Sequence, residues 1–305
     1  MVRFTMLASG SRGNSSVVAS SRTRILVDCG LSCRELLKRL ATVEENAESL
    51  DAIIVTHEHQ DHVNGVAVTA RKLGVPVYFT QGTYNAWKSW LNPKRKMTYA
   101  QWIEMMKQNA TERAERNAGP DEVDNPAAEL PAKSKDRSWL PAVEIFEAGR
   151  EFQIGDISVT PFTIPHDAAD PVGFVFAAEG IRIGYATDLG YLPANVKEHL
   201  KNLDVLLLES NHDPDMLRDG PYPWSIKQRV LSRTGHLSNE AAAAFITEDY
   251  DGSASHVILG HISESNNLPE LARISVERAL AARADHHAAR LLVASQTEPL
   301  RPVCF

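Results

Sequence analysis

Short apolar runs recur along this chain, and most of them stop at polar residues of the kinds that carry chemistry. Phe4–Leu7 leads into Ser9–Ser15 (SGSRGNS), Ile25–Val27 into Asp28, and Ile53–Val55 into Thr56–His62 (THEHQDH). Val77–Phe79 follows Pro76. Further on, Val159–Ile164 leads to His166, Ile181–Ala186 to Asp188, Val205–Leu208 to Glu209, and Val257–Leu259 to His261. Runs this short and continuous predict buried strands whose C-terminal ends deliver the functional groups. Helical spacing of apolar positions falls between them, over Cys33–Leu40, Gly65–Leu73, Ala194–Leu200, Asn239–Thr247 and Leu268–Ala281. The alternation predicts an α/β protein with two sheets covered by helices and a site along one edge.

One stretch interrupts this rhythm. Between about Lys88 and Leu140 no convincing strand appears, and the sequence turns charged and then rich in Pro and Ala. Thr98 with Gln101 makes a capping-box pair, and Trp102, Met105 and Met106 form one apolar stripe, so a helix is expected over 98–116. Residues 119–135 read as a linker. Lys88, Lys94, Arg95, Lys96, Lys107, Arg113 and Arg116 outnumber Glu104, Glu112 and Glu115 there. The segment is either an arm reaching a polyanionic substrate or a solvated surface insertion. The expected organisation is one domain over residues 1–305 with a charged, partly helical insertion at about 88–140.

Composition narrows the class. A chain of 305 residues with 43% hydrophobic content can bury a large core. Its net charge of −7 argues against indiscriminate coating of nucleic acid, although a local basic groove is compatible with it. Cys29, Cys33 and Cys304 lack CxxC spacing and are too few for a disulfide framework, which points to a reducing cytoplasm and to packing thiols rather than a redox pair. No window approaches a membrane span, so no membrane partner is expected.

The densest chemical signal is Thr56–His62, where His57, His59, Asp61 and His62 crowd together directly after an apolar strand. His57 and His59 are spaced to share one cation, while Asp61 and His62 come one turn later and face a neighbouring position. Imidazole and carboxylate suit Zn, Mn or Fe, and two such ions side by side make a hydrolytic centre. Each metal needs one more ligand, and a bridging anion is required. His166 after one strand, Asp188 beside Gly190 after another, and His261 after a third can supply them.

In that order, Asp28, the HxHxDH run of His57, His59, Asp61 and His62, then His166, Asp188 and His261 resemble the metallo-β-lactamase superfamily. The resemblance implies a four-layer αβ/βα sandwich with a binuclear centre at the sheet edges. It implies that His57, His59 and His166 hold one divalent ion, that Asp61, His62 and His261 hold the other, and that Asp188 bridges. Asp28 would orient the histidine loop from behind. The match extends through Ser9–Ser15, Asp28–Ser32, Ser158–Ala168, Thr187–Gly190, Glu209–Asp213, Tyr222–Arg229, Gly235–Glu240 and Gly260–Asn267, which together resemble the YycJ/WalJ (VicX) family of bacterial metallohydrolases. That likeness spans nearly the whole chain outside Lys88–Leu140. It implies 5′-to-3′ exonuclease activity on DNA.

The chemistry expected of such a site uses a metal-bridging hydroxide as nucleophile, with Asp61 as base. A phosphodiester also needs an acid for its departing alkoxide. His236, in Gly235–Ser238, stands apart from the ligand set, and a carboxylate at Glu209 can aim it as general acid or phosphate clamp. The competing arrangement makes His236 the last ligand and His261 the auxiliary group; His261 is preferred because it follows its strand directly. Ser9, Ser11, Asn14 and Ser15 form a glycine-spaced loop able to donate to a phosphate or simply to make a turn. His212 either lines the substrate channel or caps a turn with Asp213 and Pro214. Arg218, Lys227, Arg229 and Arg233 give the approach to His236 a basic character, with Arg229 the chosen substrate contact. Trp224 is either a base-stacking surface or buried beneath a charged helix. DNA is thus the expected partner. The alternatives are a small-molecule hydrolase of thioesters, lactones or cyclic phosphodiesters, or a non-catalytic regulator.

Overall fold

A computed structural model describes residues 1–93, 136–283 and 289–305. These fall into two compact units, Met1–Trp87 with Leu140–Phe305, and Lys88–Trp139. In the second, Asn92 donates to Asp136 at 2.7 Å and to Ser138 at 2.9 Å. The helix expected over 98–116 and the linker over 119–135 lie outside the described residues.

The first unit contains two seven-stranded mixed sheets. One has the order β14-β1-β2-β3-β4-β5-β6, built from β1 (Arg3–Ala8), β2 (Ser15–Ala19), β3 (Arg24–Val27), β4 (Ala52–Ile54), β5 (Val77–Thr80), β6 (Val143–Phe146) and β14 (Val303–Cys304). The other runs β13-β12-β11-β10-β9-β8-β7, from β7 (Phe152–Ile154), β8 (Ile157–Thr163), β9 (Val172–Ala178), β10 (Ile181–Ala186), β11 (Val205–Glu209), β12 (His256–Gly260) and β13 (Arg290–Val293). Strands β3 to β6 are parallel, as are β10 to β13; the remaining pairs are antiparallel.

Side-chain parity explains why the inner strands read as continuous apolar runs. In β11, Val205 and Leu207 enter the core shared by both sheets, with Phe4, Ile25, Ile54, Phe174 and Ile258. Leu206 and Leu208 point the other way, onto Val196, Ala242, Phe245, Ile246, Ala272 and Val276 of the covering helices. A strand buried on both faces has no polar alternation to show. The outer helices are Ala194–His199, Asn239–Glu248 and Pro269–Ala281 on one side, with Cys33–Thr42 and Val66–Leu73 on the other. Their ends follow from local chemistry. Ser32 accepts from Glu35 N at 3.3 Å, Ser238 accepts from Ala241 N at 3.1 Å, and Gly74 ends Val66–Leu73 at φ +72°.

Parallel register places the functional strand ends side by side. Val27 pairs with Ile54, so Asp28 emerges beside the loop after β4. Ala186 pairs with Leu208, and Glu209 with Gly260, so Asp188, Glu209 and His261 emerge as neighbours. All of them open at the same kind of edge, the C-terminal ends of parallel strands, where open α/β sheets bind ligands.

Candidate metal centre

Four loops and a four-residue helix bring the histidines together. The chain leaves β4, passes through His57 and His59, and turns into the helix Gln60–Val63, which carries Asp61 and His62. His57, His59 and His166 form one group, Asp61, His62 and His261 a second, and Asp188 joins His57 and His62 in a third. Within each, one donor atom per residue lies within 4.8 Å of the others. The rings of His57, His59 and His166 stand 4.7 to 4.9 Å apart, with His166 Nε2 3.2 Å from His59 Nδ1. Glu209, His236 and His261 form a further group with Asp188.

Each histidine has one ring nitrogen backed by an oxygen, which leaves the other for the centre. His62 Nδ1 meets Asp28 Oδ2 at 2.8 Å, His166 Nδ1 meets the Gly235 carbonyl at 3.1 Å, and His59 Nε2 meets the Asp167 carbonyl at 3.2 Å. His261 Nδ1 meets Glu209 Oε1 at 3.0 Å, and His57 Nδ1 meets Thr56 Oγ1 at 3.0 Å. A nitrogen that donates to such an oxygen fixes the tautomer of the neutral ring, so the inward nitrogen presents a lone pair once the ring has given up its second proton. Asp28 Oδ1 also accepts from Thr56 N at 2.8 Å, tying the end of β3 to the start of the histidine loop.

The electrostatics call for cations. Asp28, Asp188 and Glu209 are fully buried, and their ion-pair partners among the described residues are all histidines. Burial opposes charge on His62, yet Asp188, Asp28 and Asp61 outweigh it and raise its pKa well above the usual value. His261 is raised in the same way, against burial, chiefly by Asp188, Asp61 and Glu209. Asp61 and Asp188 are depressed despite burial by their histidine neighbours. By contrast, burial holds His57 well below its ordinary value and pushes His166 down to about 4, so both are neutral donors at pH 7.

Among the described residues, His57 Nε2 is one of several buried polar atoms with no hydrogen-bond partner, and Asp188 Oδ2 meets only His62 Nε2, at 3.3 Å. Orphaned buried donors and acceptors are rare in native proteins and need an explanation. Here both belong to the clusters just described, and the imidazole and carboxylate set fits divalent metal ions. Three of the site residues adopt the left-handed backbone region, Asp28 at φ +58°, Asp188 at +61° and His261 at +54°.

The other residues singled out in the sequence divide. Glu209 Oε1 lies 2.8 Å from His236 Nδ1, and Oε2 accepts from Leu189 N at 2.9 Å and Leu237 N at 3.1 Å. His236 lines a cavity of about 230 Å³ together with His59, Asp61, Asp188 and His261. Of the glycine-spaced loop, only Ser11 lines that cavity. Ser9 accepts from His261 N at 2.7 Å, Asn14 Nδ2 lies 3.2 Å from Asp61 Oδ2 and 3.0 Å from His62 Nε2, and Ser15 donates to the Asn14 carbonyl at 2.6 Å. These three pin the metal-site loops from the protein side, because their polar atoms are already committed to buried backbone and side chains. His212 is buried outside the cavity wall, while Asp213 caps the helix Pro214–Asp219. Trp224 is 66% exposed, so its burial beneath a charged helix does not occur. Sequence reasoning missed the Thr56 hydroxyl, the two backbone carbonyls and the contact of Glu209 with His261.

Two helix-flanked mixed sheets with a His/Asp centre at their strand ends define a metal-dependent hydrolase of the metallo-β-lactamase fold. The sequence profile of the beta-lactamase superfamily domain matches residues 23–121 and 119–262. Exodeoxyribonuclease YycJ of Bacillus anthracis is 34% identical over 279 residues, 92% of this chain and 89% of that protein. Exodeoxyribonuclease WalJ of Streptococcus pneumoniae is 33% identical over 92% of this chain and 88% of its own. The metallo-β-lactamase fold protein YhfI of Bacillus subtilis superposes with a TM-score of 0.62 over 98% of both chains at 15% identity, a likeness of fold. The chain belongs to the YycJ/WalJ family of the metallo-β-lactamase superfamily.

Proposed function

We propose that this protein is a 5′-to-3′ exodeoxyribonuclease that works with two divalent metal ions, Zn or Mn. His57, His59 and His166 would hold one ion and Asp61, His62 and His261 the other, with Asp188 between them and Asp28 orienting His62. Bound there, such ions polarise the phosphodiester and make water a nucleophile near neutral pH. The observation that carries the assignment to phosphodiesters is His236 in the cavity wall, backed by the buried Glu209 at 2.8 Å. Glu209 receives Nδ1–H, which turns Nε2–H of His236 toward the cavity, where it donates to the departing oxygen. Asp61 Oδ2 is engaged with His261 and Asn14, whereas Oδ1 has no partner among the described residues. Oδ1 would accept the proton of the attacking water and hand it on to solvent. The names of the relatives favour DNA over RNA or a small molecule.

The test is cleavage of 5′- and 3′-labelled DNA by the protein loaded with Mn or Zn. Stepwise release from the 5′ end is expected, and Asp61→Ala or His236→Ala should lower the rate by about 100-fold or more. Turnover of a thioester or an aryl phosphodiester with no DNA cleaved under either metal would replace this assignment with a small-molecule hydrolase.

A further inference from the structure

We propose that Asp167 is a positioning residue that holds Arg229 as the clamp for a phosphate of the substrate. The inference rests on the phosphodiesterase assignment and adds a part of the site that lies outside the metal ligands and the His236–Glu209 pair. Asp167 directly follows His166 and ties three segments together. Its carbonyl backs His59, its amide donates to Thr234 O at 3.0 Å, and its carboxylate receives Arg229 twice. Arg229 Nε donates to Oδ2 at 2.5 Å and Nη2 to Oδ1 at 3.1 Å. Oδ1 also lies 3.5 Å from His166 Nε2.

Arg229 lines the same cavity as His59, Asp61 and His236, and among the described residues of that wall it is the one Lys or Arg. The other cations that the sequence places nearby are spent elsewhere. Arg218 pairs with Asp215 and Asp219, Lys227 donates to the Arg218 carbonyl, and the Arg233 guanidinium lies 4.3 Å from the centre of the Tyr191 ring. A guanidinium carries five N–H groups in two forks. Asp167 fills the side fork, Nε with Nη2. The end fork, Nη1 with Nη2, is left with no protein partner among the described residues and matches the spacing of two phosphate oxygens. A bidentate anchor also removes the rotational freedom that a long, half-exposed side chain would otherwise lose on binding.

Simple neutralisation of Arg229 by Asp167 predicts the opposite sign, because removing the carboxylate would free a cation for DNA. The experiment compares the metal-loaded wild type with Arg229→Gln, Arg229→Lys and Asp167→Asn. It measures kcat and KM on single-stranded DNA, the affinity for thymidine 5′-monophosphate, and bound metal per chain. Arg229→Gln should weaken nucleotide binding and raise KM by about ten-fold or more, with a smaller change in kcat. Arg229→Lys should resemble Arg229→Gln, since lysine keeps the charge and loses the fork. Asp167→Asn should move in the same direction by roughly three- to ten-fold with metal content intact. An Asp167→Asn protein that binds nucleotide as well as or better than wild type overturns the proposal, as does loss of metal from it or wild-type behaviour of Arg229→Lys. A wild type that binds the nucleotide and leaves DNA intact removes the exonuclease assignment alone, because the clamp is still read from nucleotide affinity.

Discussion

Replacing Glu209 by Gln tests the centre at the point where metal site and acid meet. Four N–H donors converge on this buried carboxylate, from His236 and His261 on Oε1 and from Leu189 and Leu237 on Oε2. Glutamine offers one acceptor oxygen and an NH₂ group in the same space. The backbone amides cannot change character, so the oxygen must face Leu189 and Leu237 and the NH₂ must face the two imidazoles. Both rings then become acceptors at Nδ1 and carry their proton at Nε2. For His261 this removes the lone pair proposed to bind metal. Losing such a backing contact typically costs about 10- to 100-fold in metal affinity, roughly 1.4 to 2.7 kcal/mol. Glu209→Ala is uninformative by comparison. It strands four donors at about 1–3 kcal/mol each, a sum comparable with the whole stability of about 5–15 kcal/mol for a domain. Metal titration of the folded Gln variant, with DNA cleavage followed against metal concentration, should show one site near wild type and the other weakened. If both sites keep wild-type affinity within about two-fold, Glu209 does not set the His261 tautomer.

Metal binding should release protons. His62 and His261 have raised pKa values and are imidazolium at pH 7 without metal, so loading displaces about two protons, and apparent affinity rises with pH until those pKa values are passed. Calorimetry in two buffers of different ionisation heat reads this directly, and zero proton release would contradict it. Cys29 is buried, which pushes its thiol up to about 12, while Cys304 is exposed. At pH 9, Cys304 should react with a thiol reagent and Cys29 should not. The raised Cys29 pKa stabilises the native state below the unfolded thiol value of 9.0, and that contribution is lost as pH climbs toward about 12. Alkaline unfolding of Cys29→Ser should therefore lack this component. A Cβ on Gly30 would fall 1.7 Å from the Asp61 carbonyl. Gly30→Ala should push the helix carrying Asp61 and His62 outward, costing about 1–3 kcal/mol by denaturant unfolding together with weaker metal retention. An unchanged metal content would mean that this loop moves freely of the centre.

How much of this was legible in the chain depended on what each strand delivers. Eight of the strands end on or near polar clusters or carry a clear apolar run, and those were visible: β1, β3, β4, β5, β8, β10, β11 and β12. Strands β7 and β9 were missed, although Val172–Ala178 of β9 is apolar, because neither ends at a chemically conspicuous residue. Strand β2 was missed: its first residue closes the Ser9–Ser15 loop, and the polar Ser15 and Ser16 that open it hide a strand in which both are buried. β6, β13 and β14 are two- to four-residue strands with half-exposed or exposed positions, too short to show a period. The Gln60–Val63 helix is likewise below the length of any helical pattern. The candidate ligands themselves were readable, since His and Asp at strand ends are conspicuous. Their supports were not. Backbone carbonyls of Gly235 and Asp167 have no side-chain signature, and the sharing of Glu209 by two histidines depends on Glu209 lying in register with Gly260 across parallel strands.

The left-handed backbone at Asp28, Asp188 and His261 sets the centre in opposition to the fold that carries it. Glycine adopts this conformation freely, whereas a residue with a Cβ is held there at a cost of order 1 kcal/mol or more. In the absence of metal, that backbone cost offsets part of the stability which the three residues contribute through their buried hydrogen bonds and ion pairs. Bound metal adds to what they contribute, so replacing them should cost more with metal than without. Thermal screening with and without a chelator would thus map the centre without any substrate, because the positions whose cost changes most between the two are the ones that hold it.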